Sequence, residues 1–149
     1  MSITYHKGDL FEHLPKDKTI YIPHVCNNAG GWGAGFVLAL SKHFPRAEKS
    51  YREWFEYGKP DLSNVQMVPI PQTRNIIVCN MIAQGLGGIK PLRYGHLAHC
   101  MQKVADTLQP GFLIYAPKFG SGLAGGDWAI IEELIEDIWG KNEVHIFTL

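Results

Sequence analysis

The sequence predicts an α/β fold, a three-layer α/β/α sandwich with a mixed central sheet, and three observations support this prediction. Apolar runs of strand length alternate along the chain with stretches whose apolar residues recur at helical spacing. The 149 residues match the size of one domain, and no repeat, linker or low-complexity segment divides them. Glycine-rich segments separate strands from helices, which is where such folds carry their binding loops. We therefore expect one domain over residues 1–149.

The first half of the chain should contain two strands followed by two helices, over 3–5, 19–26, 33–44 and roughly 46–56. The first strand should end in the turn Gly8-Asp9-Leu10. Pro23 lies inside the second strand, and because proline cannot donate to a ladder we expect it at a sheet edge or a bulge. Pro45 separates the two helices.

The second half should contain four strands and two helices. The strands are expected over 65–70, 75–82, 112–116 and 144–149, and the helices over 94–108 and 127–139. Pro71-Gln72-Thr73 should form a turn between the first two strands, the segment 85–91 should be flexible, and Asp127 should cap the last helix.

The charge balance favours a small ligand over a nucleic acid. Acidic and basic residues number 14 each, so the chain has no net positive field to hold DNA or RNA. The longest apolar runs, such as 76–79, are far shorter than the roughly 20 residues that cross a bilayer. The N-terminus also lacks the pattern of a secretory signal. We expect a cytoplasmic protein, a monomer, that binds neither a membrane nor a nucleic acid.

Neither a metal nor another cofactor is expected. The three cysteines, Cys26, Cys79 and Cys100, are an odd number without CxxC spacing, which favours buried reduced thiols, although Cys26 directly precedes the glycine-rich segment 27–35. His96 and His99 are three residues apart on a predicted helix but have no third ligand nearby. A histidine pair on a helix surface is the favoured interpretation.

Two glycine-rich loops carry the functional signal. The first, NNAGGWGAG over 27–35, follows a buried strand and opens a helix, and the second, PKFGSGLAGGDW over 117–128, also joins a strand to a helix. Glycine lets the backbone approach a ligand, and free N–H groups at a helix start can hold a phosphate. Neither loop has the Walker A or dinucleotide pattern, and each alone could be tight packing. Together, at neighbouring strand ends, they could close over a diphosphate.

Six segments, spread over nearly the whole chain, together resemble the macrodomain family. They are GDLF (8–11), HVCN (24–27), WGAG (32–35), NMIAQ (80–84), GSGLAGGDW (120–128) and the terminal FTL (147–149). The resemblance implies a macrodomain that binds ADP-ribose or a derivative in a glycine-lined cleft. The most similar branches contain the ADP-ribose 1″-phosphate phosphatases and the glutamate-linked ADP-ribose hydrolases.

By this resemblance, three residues hold the adenine end of the ligand. Asp9 accepts a hydrogen bond from the adenine amino group, Leu10 lies beside the ring, and Phe147 stacks on it. From the residues alone, Asp9 could instead be a helix or turn cap. Phe147 could equally be a core aromatic, because phenylalanine in a terminal strand usually packs inward.

The remaining binding residues come from the two loops. By the resemblance, Asn27 touches the distal ribose, and the turn of Trp32, Gly33, Ala34 and Gly35 wraps that ribose and the adjacent phosphate. The residues expected to donate backbone N–H groups to the diphosphate are Ser121, Gly122, Leu123 and Ala124. Simple turn chemistry remains the alternative for Asn27.

The resemblance also bears on catalysis. Glutamate-linked hydrolases use a lysine and an aspartate, whose positions fall near Met81 or Ile82 and at Ala124. An apolar side chain cannot replace a lysine that forms a covalent sugar adduct. The phosphatase branch shares the HxCN spacing over 24–27 and FPRAEK over 44–49, with a tyrosine at Tyr51. We therefore favour hydrolysis of ADP-ribose 1″-phosphate to ADP-ribose and phosphate.

His24 and Asn27 are the candidate catalytic residues, since they and the loop N–H groups could orient a water molecule and stabilise developing charge. His24 could instead be a hydrogen-bonded core histidine. Lys90, Arg93 and Lys118 could neutralise a terminal phosphate or simply be solvated. Two other functions stay open: an ADP-ribosyl hydrolase acting on modified macromolecules, and a non-catalytic reader whose partners are ADP-ribosylated macromolecules.

Overall fold

The computed structural model describes residues 3–85, 91–109 and 112–149. Lys90 and the interior of the segment predicted to be flexible lie outside the described residues. The described strands are β1 Ile3–Lys7, β2 Ile20–Asn27, β3 Val65–Pro69, β4 Ile76–Gln84, β5 Leu113–Pro117 and β6 Glu143–Thr148. The helices are α1 Phe36–His43, α2 Pro45–Tyr57, α3 Tyr94–Thr107 and α4 Trp128–Trp139, and a short 3-10 helix spans Leu10–Glu12.

The strands form a single mixed sheet in the order β1-β6-β5-β2-β4-β3. All pairs are parallel except β3, which is antiparallel to β4. Successive side chains of each strand point to opposite faces, so Ile20 and Ile22 enter one core and Tyr21 enters the other. Helices α1 and α2 cover the first core, and α3 and α4 cover the second. The predicted three-layer sandwich is confirmed.

Most element boundaries lie within two residues of their predicted positions, and the largest difference is at α1. This helix begins at Phe36 rather than residue 33, because Gly35 has φ of 75°, a left-handed conformation that cannot continue into a helix. The predicted cap of α4 is confirmed, since the Asp127 carboxylate accepts from Ala129 N at 2.9 Å. Strand β4 extends to Gln84, beyond its predicted end at residue 82.

The prediction that Pro23 lies at a sheet edge or a bulge is wrong, because β2 is an interior strand between β5 and β4. The N–H groups of alternate residues in such a strand point to opposite neighbours. Since Ile20 N donates to Asn75 O on the β4 side, Pro23 faces β5. The β2–β5 ladder includes only Ile20 and Tyr21. The two strands have therefore already separated where Pro23 lies. No carbonyl of β5 is left without the hydrogen bond that proline cannot donate.

This separation creates the crevice that holds the candidate site. From β2 the chain passes through α1 and α2 towards β3, whereas from β5 it passes through α4 to β6 on the other side. Ligands of open α/β sheets bind at such a reversal, outside the carboxyl ends of the strands. No helix of the described residues is long and apolar enough to span a membrane.

Candidate functional site

A cleft of about 440 Å³ lies at the carboxyl ends of β2, β4 and β5, between the two glycine-rich loops. Its volume is within the range of small-molecule sites. The predicted site residues that line it are His24, Asn27, Trp32, Gly33, Ala34, Gly35, Gly122, Leu123 and Ala124. The cleft therefore brings together most of the residues that the sequence predicts for ligand binding.

Asn27 fixes the shape of the first loop. Its Oδ1 accepts hydrogen bonds from Ala29 N at 2.9 Å and Gly31 N at 3.0 Å, and its Nδ2 donates to Gly31 O at 3.1 Å. The buried Tyr51 hydroxyl donates to Asn27 O at 2.7 Å. The side chain thus has the turn-forming role, with one Nδ2 hydrogen left over. Contact with a ribose and participation in catalysis stay predictions.

Trp32 anchors the loop through its side chain. The indole is 6% exposed, and its Nε1 donates to Ser41 Oγ at 2.7 Å. Ser41 in turn donates to Glu48 at 2.8 Å, and Arg52 pairs with the same carboxylate at 2.7 Å. The hydrogen bonds from Arg52 and then Ser41 hold the pKa of Glu48 below its usual value. Because the indole packs inward, the loop presents the backbone of residues 33–35 to the cleft.

This backbone offers unused donors. Among the described residues, nothing accepts a hydrogen bond from the N–H groups of Gly33, Ala34 or Gly35. A Cβ on Gly33 or Gly35 would meet nothing within 4 Å, so both glycines border open space. Helix α1 begins directly after Gly35, and Phe36 and Val37 in its first turn line the cleft. Its N-terminus therefore adds a favourable dipole for an anion.

The second loop offers a matching row of donors. Within the described part of the chain, the N–H groups of Gly122, Leu123 and Ala124 have no acceptor. The N–H of Ser121 differs, because it points at Lys118 O at 3.4 Å and the Ser121 hydroxyl donates to the same carbonyl at 2.7 Å. Ser121 does not line the cleft. Its predicted contact with a diphosphate remains a prediction.

Glycine is required where the second loop turns back on itself. Gly126 N donates to Gly120 O at 2.8 Å, and a Cβ on Gly126 would lie 2.4 Å from that oxygen and from a Leu92 methyl group. Gly120 has φ of 77° and Gly125 has φ of 75°, conformations that favour glycine. The second loop therefore needs glycine for its own turn and close packing, and not only for the approach of a ligand.

His24 lies at the floor of the cleft and is 2% exposed. Its Nε2 is 2.5 Å from Asn80 Oδ1. Asn80 Nδ2 donates to Gln66 Oε1 at 3.0 Å, and Gln66 Nε2 donates to the backbone carbonyl of Ser50 at 2.9 Å. The carbonyl at the end of this chain fixes the direction of every bond. His24 Nε2 therefore carries the hydrogen and donates to Asn80.

The same burial keeps the His24 imidazole neutral. Loss of solvent around the ring lowers the pKa of His24 to about 4, although the Asn80 hydrogen bond opposes this shift. Only Nδ1 is left to accept a proton. This environment is the one expected of a hydrogen-bonded core histidine, and a role as general base stays a prediction.

The residues predicted for the adenine end lie beyond the lining of the cleft, on the β1 and β6 side. Asp9 caps the 3-10 helix, with Oδ1 accepting from Phe11 N at 2.9 Å, and Leu10 is 4% exposed. Phe147 is 5% exposed and stacks on His6, with ring centres 4.6 Å apart. Both alternative roles, the cap and the core aromatic, are therefore present, and contact with adenine stays a prediction for all three residues.

Lys118 is the one cationic side chain among the described residues that line the cleft. Its ammonium lies 6.0 Å from the Tyr5 ring centre and 5.8 Å from that of Trp128, distances at which a cation–π attraction operates. Arg93 is exposed and does not line the cleft. A phosphate in the cleft would therefore depend on peptide N–H groups more than on cations.

Three residues that shape the site were not predicted as site residues from the sequence. Gln84, at the end of β4, lines the cleft and pairs in register with Asn27. Tyr51 and Asn80 hold Asn27 and His24 in place. A polar residue that closes a buried apolar run is a signal for a strand-end site residue, and by that signal Gln84 could have been found. No local sequence pattern predicts the hydrogen bond between Asn80 and His24.

Cys26 lines the cleft beside His24, with its Sγ 3.9 Å from Nδ1 and 3.8 Å from Nε2 of that ring, whereas His96 and His99 lie outside the lining. Cys26 is 4% exposed, and burial raises the pKa of its thiol. The ring nitrogens Nδ1 of His96 and His99 lie 2.7 and 3.2 Å from the hydroxyl of Ser63, which they share. Across residues 3–85, 91–109 and 112–149, no three histidine, cysteine or acidic side chains come together as a metal site.

Comparison with known proteins gives a consistent result. No protein-family model matches the chain. A protein of unknown function from Bacteroides thetaiotaomicron has 35% identity and a TM-score of 0.89, covering 100% of this chain and 99% of that one. A macrodomain protein from Streptomyces coelicolor has 33% identity and a TM-score of 0.82, covering 99% of each chain. The ADP-ribose 1″-phosphate phosphatase of Saccharomyces cerevisiae is 26% identical to this chain, and the alignment covers 99% of each of the two chains.

Proposed function

The chain belongs to the macrodomain family, and from that premise we propose that it binds ADP-ribose derivatives and hydrolyses ADP-ribose 1″-phosphate to ADP-ribose and phosphate. The observation that carries this proposal is the pair of facing loops. Each loop has three peptide N–H groups that donate no hydrogen bond to any described residue. Oriented peptide donors bind a diphosphate without a bound cation. The phosphatase named above, similar over its whole length, supports the choice of substrate.

The ligand should lie across the sheet with its adenine towards β1 and β6 and its distal ribose towards β2 and β4. The diphosphate would sit between residues 33–35 and 122–124, which line the cleft from the two glycine-rich loops. Asn27 would meet the distal ribose, and Asp9, Leu10 and Phe147 would form the adenine end. In this orientation the 1″-phosphate would lie near Asn27 and Gln84, which pair in register and both line the cleft.

Hydrolysis requires a water molecule that attacks phosphorus while negative charge spreads over the phosphate oxygens. Peptide N–H groups and the N-terminus of α1 can stabilise this charge, because they are oriented before the reaction begins. The remaining Nδ2 hydrogen of Asn27 can contribute in the same way. If His24 accepts a proton from the water, it does so at Nδ1, because Nε2 donates to Asn80.

A non-catalytic reader of ADP-ribosylated macromolecules is the second candidate function. It uses the same cleft, and the burial of His24 favours it, since the described lining has no exposed histidine or carboxylate to act as general base. Leu123, at the mouth of the cleft, is 77% exposed and could contact a macromolecular carrier. Release of ADP-ribose from glutamate-modified protein is disfavoured, because Met81 and Ile82 are fully buried and position 124 is alanine.

A two-substrate assay separates these functions. The protein is incubated with ADP-ribose 1″-phosphate and, separately, with a glutamate-ADP-ribosylated protein, and the release of phosphate and of ADP-ribose is followed. We expect phosphate release to be faster. Faster release of ADP-ribose would contradict the proposed substrate, and binding of ADP-ribose without release of either product would favour the reader.

The proposal includes a monomer with one domain in a reducing compartment such as the cytoplasm. Cys26, Cys79 and Cys100 are free and buried, as is usual where thiols stay reduced. Sedimentation equilibrium at micromolar concentration tests the monomer, and a dimer mass would contradict it.

A further inference from the structure

The polar side chains that line the cleft differ in whether they are already hydrogen-bonded. His24 Nε2 is bonded to Asn80, and Trp32 Nε1 is bonded to Ser41. Asn27 Oδ1 serves two loop N–H groups, and one of its Nδ2 hydrogens serves a loop carbonyl. The ammonium of Lys118 lies over two aromatic rings. The hydrogen bonds of the described residues include none to the side-chain amide of Gln84.

The backbone holds Gln84 firmly at one end of the cleft. It is the last residue of β4 and pairs in register with Asn27, directly after a shift in the β2–β4 register. Its carbonyl accepts from Asn28 N at 3.1 Å, which ties it to the first glycine loop. Since β4 lies on the far side of β2 from β5 and β6, Gln84 is at the opposite end from the predicted adenine residues.

We propose that the side-chain amide of Gln84 donates a hydrogen bond to the 1″-phosphate and so distinguishes ADP-ribose 1″-phosphate from ADP-ribose. This inference rests on the proposed function, which sets the direction of the ligand in the cleft. An amide is suited to the task because it donates to a phosphate at any protonation state and needs no counter-ion. The half-buried position of Gln84 limits the solvent that competes for the phosphate.

A charge series at Gln84 tests the inference. Gln84→Met keeps the length of the side chain without the donor, and Gln84→Glu keeps its shape but adds a negative charge. Loss of a hydrogen bond to a charged group should weaken affinity for ADP-ribose 1″-phosphate by about 10- to 100-fold in Gln84→Met, and Gln84→Glu should lose more. Affinity for ADP-ribose should change less than about threefold in Gln84→Met. Gln84→Lys should restore discrimination in favour of the phosphorylated ligand.

Both ligands are measured with each variant. Where the protein turns over ADP-ribose 1″-phosphate, KM and kcat are measured together with inhibition by ADP-ribose, and otherwise both Kd values are measured by calorimetry. Gln109→Glu, which adds the same charge on an exposed residue outside the cleft, should behave as wild type. Circular dichroism and thermal melts verify folding of each variant.

The possible results separate this inference from the proposed function. Unchanged discrimination in Gln84→Met and Gln84→Glu, with ADP-ribose bound normally, would overturn the role of Gln84 alone. Equal loss of both ligands would also overturn it, because that pattern indicates a structural role. A wild-type protein that binds neither ligand would overturn the proposed function and this inference together.

Discussion

Replacing His24 by glutamine should remove a defined part of the pH dependence of stability. Burial holds the pKa of His24 at about 4 in the folded protein, against 6.5 for the exposed imidazole. At about 1.4 kcal/mol per pKa unit, this difference corresponds to about 3 kcal/mol. Between these two pH values the unfolded chain binds more protons than the folded one. The stabilisation is therefore present above pH 6.5 and is lost as the pH falls towards 4.

Glutamine is the appropriate replacement because its amide can still donate to Asn80 Oδ1. The free energy of unfolding is measured by urea denaturation at several values between pH 4 and 7, for wild type and His24→Gln. The free energy of unfolding of wild type minus that of His24→Gln should fall by about 3 kcal/mol from pH 7 to pH 4. His43→Gln, at an exposed position, is the control and should follow wild type. A difference between wild type and His24→Gln that stays constant across this range would refute the burial argument.

The same variant decides the role of His24 in turnover. Loss of a positioned general base costs about 10² to 10⁴ in rate, and the affinity for ADP-ribose should then be retained. If His24→Gln hydrolyses ADP-ribose 1″-phosphate at the wild-type rate, the histidine acts through the core alone.

Two further predictions concern the glycine loops. Gly122→Glu should weaken ADP-ribose binding at least about 100-fold, because it places a negative charge beside the diphosphate, and it should still fold, because a Cβ there meets nothing within 4 Å. Gly95→Glu, at a similarly open glycine outside the cleft, should bind normally, and equal affinities for the two variants would show that the cleft is misplaced. Gly126→Ala should instead destabilise the fold by about 2 kcal/mol, because its Cβ would lie 2.4 Å from Gly120 O. A urea midpoint equal to that of wild type would contradict this.

The fold could be predicted from sequence because its signals are local. Strand-length apolar runs and helical spacing depend on neighbouring residues, and they gave all six strands and four helices of the described chain. The position of Pro23 was predicted wrongly because it depends on contacts that are not local. Whether a proline is tolerated inside a sheet depends on the separation of β2 from β5, and these strands are far apart in sequence.

The candidate site also combines features that local sequence predicts with features that depend on residues distant in sequence. The loops at 27–35 and 117–128 were found from sequence because glycine is needed wherever a backbone turns tightly or approaches a ligand. The state of His24 depends on Asn80, more than fifty positions along the chain, and no local pattern reveals that bond. The inward anchoring of Trp32 through Ser41 likewise follows from the packing of α1 on the loop.

Isothermal titration of the folded protein with ADP-ribose tests directly whether the cleft binds this ligand. We expect a micromolar Kd, about −8 kcal/mol, because a preformed cleft combines a buried ligand with peptide N–H donors to the diphosphate. AMP, which lacks the diphosphate and the distal ribose, should bind more weakly. The absence of binding heat and of any thermal shift with ADP-ribose, in a sample shown to be folded, would contradict ADP-ribose binding in this cleft.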